Sequence, residues 1–462
     1  MPRHDPLQPA LGRRTASALA AAALVVAWGT GVARAMPQEP AAVPTTAHFT
    51  ATAAPARSAA LVALLDDYVT FLKEASPTSA WARGDERYAG KLGDYSLEGF
   101  ERQHQQRQDF RARLAAIDRA GFTEDDAVDA DLLAYELDLA IAGHALRPDQ
   151  MPLNQQWGLH TWLPQMYQSL PLHSERDVEH YVALLEQAPE AVDHTIAALR
   201  RGLEAGRVPP RLVMSATPAQ ARAQATDAIR NDPALSPMFT PLRGRPEGDA
   251  LAARARKAIA EGVAPALLRL ADFLEREYVP RCRESTGISE GIDGPAAYDY
   301  ALRVYTTTGM TAREVHELGL REVARIRAEM FQVIARTDWP DRAKHPAGSD
   351  EQFKAFVNYL RTDPRFYHTS AEDLLRGYRD ISKRVDAERP RLFRVLPRNP
   401  YGVREMPAFM APTSPTAYYY PGSLEGGVPG YFVANTHRLD QRPKYEMIAL
   451  TLHEAVPGHH LQ

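Results

Sequence analysis

The stretch SAALVALLDDYVTFL, residues 58–72, decides the fold class, because its apolar residues Leu61, Leu64, Leu65, Tyr68 and Leu72 recur at three- and four-residue spacing. That period puts one apolar stripe on a helix, and Pro77 ends it. Working outward, the same pattern returns over 125–145, over 177–205 with an interruption expected at Pro189, over 265–278 and over 311–335. The last of these has a defined start, since Thr311 followed by Glu314 makes a capping box that satisfies exposed amides. Strand alternation is scarce and no internal repeat is visible, so the chain is expected to be mostly α, a multi-helix body with a small β hairpin or sheet. The polar, proline-bearing stretch 207–249 divides the helical body as a long loop or a domain junction. Gly287, Gly291 and Gly294 cluster around Asp293 and set a soft internal boundary near residue 290.

Composition narrows the function classes. The 462 residues carry 54 Lys+Arg against 58 Asp+Glu, with 45% hydrophobic and 24% charged residues, the balance of an ordinary globular protein. Wholesale disorder, a collagen-like repeat and a multi-span membrane protein are excluded. A formal charge of -4 offers no concentrated basic surface for nucleic acid. Cys282 is the single cysteine, so no intrachain disulfide forms and the residue reads as a buried small hydrophobe.

The N-terminus reads as an address. Arg13 and Arg14 precede an apolar run from Ala16 to Trp28, and Ala33-Arg34-Ala35 offers small residues at the two positions a signal peptidase reads. The run is shorter than the roughly 18–20 residues that span a bilayer, so no stable membrane anchor is expected after cleavage. No cysteine stands at the cleavage point, which excludes a bacterial lipoprotein. Arg13-Arg14 leaves open a twin-arginine signal, although Thr15-Ala16-Ser17 lacks the bulky apolar residues expected there. Loss of residues 1–35, with Arg3, Arg13, Arg14 and Arg34 against Asp5, takes the formal charge from -4 to -7. Residues 36–57, rich in Ala, Pro and Thr, read as a tether, and the body occupies 58–462. The protein is expected to be exported, to the periplasm or the extracellular space.

The chemistry lies at the other end. Tyr418-Tyr419-Tyr420-Pro421-Gly422 and the run from Gly426 to Thr436 are two aromatic, β-prone segments separated by glycines, which predicts a hairpin or a pair of short strands. Pro443 is suited to open a helix, with Met447, Ile448 and Leu452 as its apolar contacts, that delivers His453 and Glu454. A zinc hydrolase needs two imidazoles to hold the ion and a carboxylate beside the bound water. In His-Glu-x-x-His the two histidines share a helical face, but here the second position is Pro457 and the next histidines are His459 and His460. A regular helix would separate His453 from His459 by roughly 9 Å along its axis, too far for one ion. The backbone must therefore deform, and Pro457 and Gly458 supply the cause. His459 is the favoured second ligand and His460 the competing one.

Tyr419, Tyr420, Gly430, Tyr431 and Asn435 are candidates to receive substrate, since an edge strand before a metal-bearing helix suits a peptide that adds its backbone as another strand. Each aromatic taken alone is better read as a core strand residue. His437 lies in the same segment without a further sign of a role, and His316-Glu317, with no later histidine in its helix, is read as surface.

The terminal His453-Glu454-Ala455-Val456-Pro457-Gly458-His459-His460-Leu461-Gln462, with Tyr418-Tyr419-Tyr420-Pro421 and the run from Val428 to Thr436, resembles the bacterial domain-of-unknown-function 885 family. Pro77-Thr78, Gly84-Asp85-Glu86-Arg87-Tyr88 and the segment from Thr306 to Gly319 look similar too. The resemblance covers most of the body. It implies a largely helical, metallopeptidase-like fold related to zinc peptidases of the gluzincin type, with His453 and His459 or His460 as ligands and Glu454 as general base. It also implies a third ligand, a glutamate on a following helix within a Glu-Gly-Trp-Ala-like stretch, which no residue up to Gln462 matches, so the chain is expected to be cut off inside the site and weakly active. Zn²⁺ is the implied cofactor and a peptide the implied substrate. The competing readings are a metal-dependent hydrolase of esters or modified amides, and a non-catalytic exported scaffold with a vestigial motif.

Overall fold

Ser58 caps the first helix, Ala59–Ala75, by accepting from the Leu61 amide, and Arg57 just before it pairs with Asp126 and Asp129. The computed structural model describes residues 56–246, 248–406 and 411–462, so the signal segment 1–35 and nearly all of the tether lie outside the described residues. The first helix packs with Leu97–Ala115 and Glu124–His144 around Leu61, Leu64, Tyr68, Phe71, Phe110, Leu133 and Leu137. Of the stripe expected from the spacing, Leu61, Leu64 and Tyr68 are buried and Leu65 and Leu72 partly so, with Phe71 inside as an addition. Burying each large apolar side chain contributes about 1.5–3 kcal/mol.

The main core is built on the helix Glu175–Glu204, which a Ser174/Asp177 capping box starts. Pro189 sits inside this helix without ending it. Its ring faces Gly262, whose Cβ, if present, would stand 3.1 Å from Pro189 Cγ. Gly262 belongs to a wide-turn π segment, Ala258–Val263, within a helical run from Ala250 to Tyr278. A bare glycine on a widened turn is what admits the proline ring between the two helices.

The stretch 207–249 is neither an open loop nor a separator. It forms the short helices Arg211–Met214, Thr217–Ala223 and Asp227–Asn231 and tight turns at Pro233–Leu235 and Pro237–Leu242. Prolines at first-turn positions and caps from Thr226, Asp232 and Ser236 restart the helix repeatedly, which breaks any long periodic pattern. Met214, Met238, Phe239 and Leu242 nonetheless reach the main core. Buried Cys282 lies in the same cluster.

Further on, Asp293 pairs with Arg207, and Gly294–Thr306 docks on Glu124–His144 through Tyr135 Oη, which donates to the Arg303 carbonyl at 3.0 Å. The helix Ala312–Arg336 carries the Thr311/Glu314 capping box, yet only its Ile334 is buried. Leu320, Val323, Ile326, Met330 and Val333 are exposed among the described residues. His316 and Glu317 are exposed on the same helix.

A three-stranded sheet closes the chain: β1 (Tyr401–Glu405), β2 (Ala417–Tyr420) and β3 (Gly430–Ala434) in the order β1-β3-β2. β2 and β3 are the expected antiparallel pair, whereas β1, which pairs parallel to β3, is an addition. One face of the sheet, with Phe432 and Ala434, packs on the helix Ala371–Leu392 through Leu374, Tyr378 and Ile381. The helix Met447–Glu454 joins that cluster through Met447. The overall class is mostly helical with a small three-strand sheet. No described helix is long and apolar enough to cross a membrane.

Candidate metal centre

Met447, Thr451 and Glu454, spaced four and three apart, turn inward from the last long helix. Ile448 and Leu452 therefore face out, unlike Met447, and His453 lies on the exposed side. Pro443 does not begin this helix directly but caps a tight turn, Lys444–Glu446, that leads into it.

The helix stops at Glu454. Ala455 leaves helical geometry at φ -114°, ψ -104°, and a new turn, Gly458–Leu461, begins after Pro457. The His460 amide then bonds back to the Ala455 carbonyl at 3.0 Å. This is the deformation that the His453 to His459 spacing demands. It folds the second histidine back over the end of the first helix. Only a glycine fits at the contact, because a Cβ on Gly458 would fall 1.9 Å from the His453 carbonyl oxygen.

His453, Glu454 and His459 consequently converge, with one ligand atom from each lying within 4.8 Å of the others. The two imidazole rings are nearly perpendicular, 89°, with centroids 4.8 Å apart. His459 Nε2 lies 3.9 Å from Glu454 Oε2. That oxygen is buried and has no hydrogen-bond partner among the described residues. Burial pushes the Glu454 carboxyl above the usual carboxylate range, against the opposing pull of His459 and His453. An orphaned, buried carboxylate oxygen beside two imidazoles fits a site in which the imidazoles would hold a divalent cation and the carboxylate would meet its water.

His460 is drawn the other way. Its Nδ1 shares a 2.7 Å hydrogen bond with Tyr419 Oη, and its ring lies 4.7 Å from that of Tyr401. Tyr401 is fixed in turn by Asp386 at 3.1 Å, and Asp386 by Arg389. Burial, followed by the Arg389 charge, pushes the His460 pKa down against the opposing pull of the Asn399 backbone and Asp386. Tyr419 is held up at about 12 by burial, so it stays a neutral phenol. Its hydroxyl fills the space over Gly430, where a Cβ would lie 1.8 Å away.

The other candidates separate by strand register. Tyr419 pairs with Phe432 and shares its face of the sheet, towards the histidines. Tyr420 and Tyr431 pair with each other on the opposite face, where the Arg404 guanidinium lies over both rings. Tyr420 Oη also bonds the Gln168 carbonyl, and Ser423 bonds that of Arg83, so the β2–β3 connection is tied to the N-terminal body. Asn435 is buried and donates to the carbonyls of Ala411, Ser414 and Pro415, which fixes the turn before β2. Of the five candidate substrate residues, Tyr419 and Gly430 stand at the histidine cluster, and Tyr420, Tyr431 and Asn435 do not. Tyr401 and Gln462 belong to the surroundings of the cluster and carried no separate sign in the sequence beyond the three-residue step from His459 to Gln462.

The comparisons agree with this architecture. A comparison with the curated proteins finds no match. Among solved structures, one described as "the putative lipoprotein from Colwellia psychrerythraea" is similar at a TM-score of 0.72 and 19% identity, over 87% of this chain and 71% of that one. A second, "a putative lipoprotein of unknown function from Shewanella oneidensis", is similar at 0.59 and 17% identity, over 87% and 70%. At such identities the likeness concerns the fold alone. The model of the family described as "Bacterial protein of unknown function (DUF885)" matches residues 77–462, so the chain belongs to that family.

Proposed function

We propose that this protein is an exported metal-dependent hydrolase, first of all a peptidase, in which His453 and His459 hold the ion and Glu454 is the general base. The observation that carries the reading is the convergence of the three ligand atoms within 4.8 Å. Two imidazoles are donors suited to zinc, and the Glu454 carboxylate beside them is placed to meet a water on the ion. Such an ion, when bound, supplies Lewis acidity and an acidified water. Glu454 Oε2, which has no hydrogen-bond partner among the described residues, would accept a proton from the attacking water and return it to the leaving amine. Descent from gluzincin-type metallopeptidases is part of the same proposal and rests on the motif.

A peptide is the favoured substrate because β2 is an edge strand among the described residues, and Tyr419 on it faces the histidines. An extended chain can pair with such an edge. Export is supported by the signal-like segment 1–35 and by the description of both structural neighbours as lipoproteins.

The test is Glu454→Gln in this protein against a panel of peptides and esters. The variant is expected to keep its metal and lose at least about 100-fold in peptide hydrolysis. Unchanged hydrolysis rejects the base, cleavage of esters alone transfers the reading to an esterase, and a metal-free wild type leaves a helical binding protein.

A further inference from the structure

We propose that Gln462 is the positioning residue that selects which nitrogen of His459 meets the ion, an inference that rests on the metal-site reading above. His459 Nδ1 and Gln462 Oε1 are 2.7 Å apart. The two residues are three apart on the turn Gly458–Leu461, and the Gln462 amide closes on the Gly458 carbonyl at 3.2 Å, so both side chains share one face. An amide oxygen only accepts, hence Nδ1 carries the proton and Nε2 keeps its lone pair. Nε2 is the nitrogen that points at Glu454. Tyr419 lies nearly parallel to the His459 ring, 18° and 6.1 Å between centroids, and limits its rotation. The neighbouring His460 also has its Nδ1 engaged, by Tyr419 at 2.7 Å, but its ring packs against Tyr401 and is not part of the cluster of His453, Glu454 and His459. Position separates the two adjacent histidines, and Gln462 acts on the one beside Glu454.

Outer partners of a ligating histidine fix its tautomer and raise its basicity, and their loss weakens metal affinity by about 10- to 100-fold. The experiment is titration of metal-free protein with Co²⁺, read by its visible absorption, for wild type, Gln462→Ala, Gln462→Met and Gln462→Glu. Gln462→Ala and Gln462→Met are expected to bind about 10- to 100-fold more weakly. Gln462→Glu, whose oxygens only accept, is expected to restore wild-type affinity or better. The melting temperature without metal is expected to be the same in all four, which a merely structural role would not produce. Equal affinity in wild type and Gln462→Ala overturns the assignment while leaving the metal site standing; a wild type that takes up no Co²⁺ overturns both. If Gln462→Ala does not fold, the tautomer decides: a proton on Nδ1 of His459 in long-range ¹H–¹⁵N spectra of metal-free wild type supports the assignment, and one on Nε2 rejects it.

Discussion

The Cβ that Gly458 lacks would stand 1.9 Å from the carbonyl oxygen of His453. The end of one helix and the start of the next turn are therefore in direct backbone contact, and this contact returns His459 to His453. Gly458→Ala is expected to push the turn away, at a cost of about 1–3 kcal/mol, and to abolish uptake of zinc. Chemical denaturation and metal analysis check both. An alanine variant that keeps wild-type stability and metal content would show that the contact is not required.

Gly430 has a parallel role for the second histidine. A Cβ there would meet Tyr419 Oη at 1.8 Å and break the hydrogen bond to His460. Tyr419→Phe alone is expected to cost about 1 kcal/mol, the worth of one hydrogen bond. In a Gly430→Ala background the same change is expected to cost close to nothing, because the bond is already gone. Denaturation of the four proteins in the cycle measures the coupling, and additive effects would contradict it.

Acid stability has a named source far from the site. Burial alone would push Asp126 up, but bonds from Arg57, the Ser58 amide and Thr123 overcome it and hold the carboxyl at about 2, below its ordinary 3.8. A depressed carboxyl stabilises the fold when ionised, so the contribution is complete above about pH 4 and is lost as the pH falls towards 2. It is on the order of 2 kcal/mol. Asp126→Asn is expected to lower stability at pH 7 and to flatten the pH dependence over that window. A variant whose acid profile is parallel to the wild type would remove Asp126 as the cause.

How much of this was legible in the sequence depends on whether the determinant was local. The helices at 59–75 and 312–336 were visible because spacing and the Thr311/Glu314 box are properties of neighbouring residues. What covers them was not: the first buries Leu61, Leu64 and Tyr68 of its stripe, while Val323, Ile326 and Met330 of the second are exposed. Pro189 looked like a break because nothing nearby announces Gly262, which makes room for it from a different helix. β1 escaped notice because its partner β3 lies about 25 residues on and pairs in parallel, leaving no hairpin turn to read. At the site, the spacing of His453, Pro457 and His459 already required a broken helix. The division of labour between His459 and His460 was beyond it, because Tyr419 and Tyr401, which claim His460, arrive from two strands.

The most direct measurement of the central claim is the zinc content of wild type, His453→Ala, His459→Ala and His460→Ala, each purified metal-free and re-equilibrated with limiting Zn²⁺. Convergence of His453, Glu454 and His459, with His460 turned to Tyr419, predicts one ion per chain in wild type and in His460→Ala. It predicts none in His453→Ala or His459→Ala. A wild type without zinc, or a His460→Ala protein that loses the ion while His459→Ala keeps it, would contradict the account.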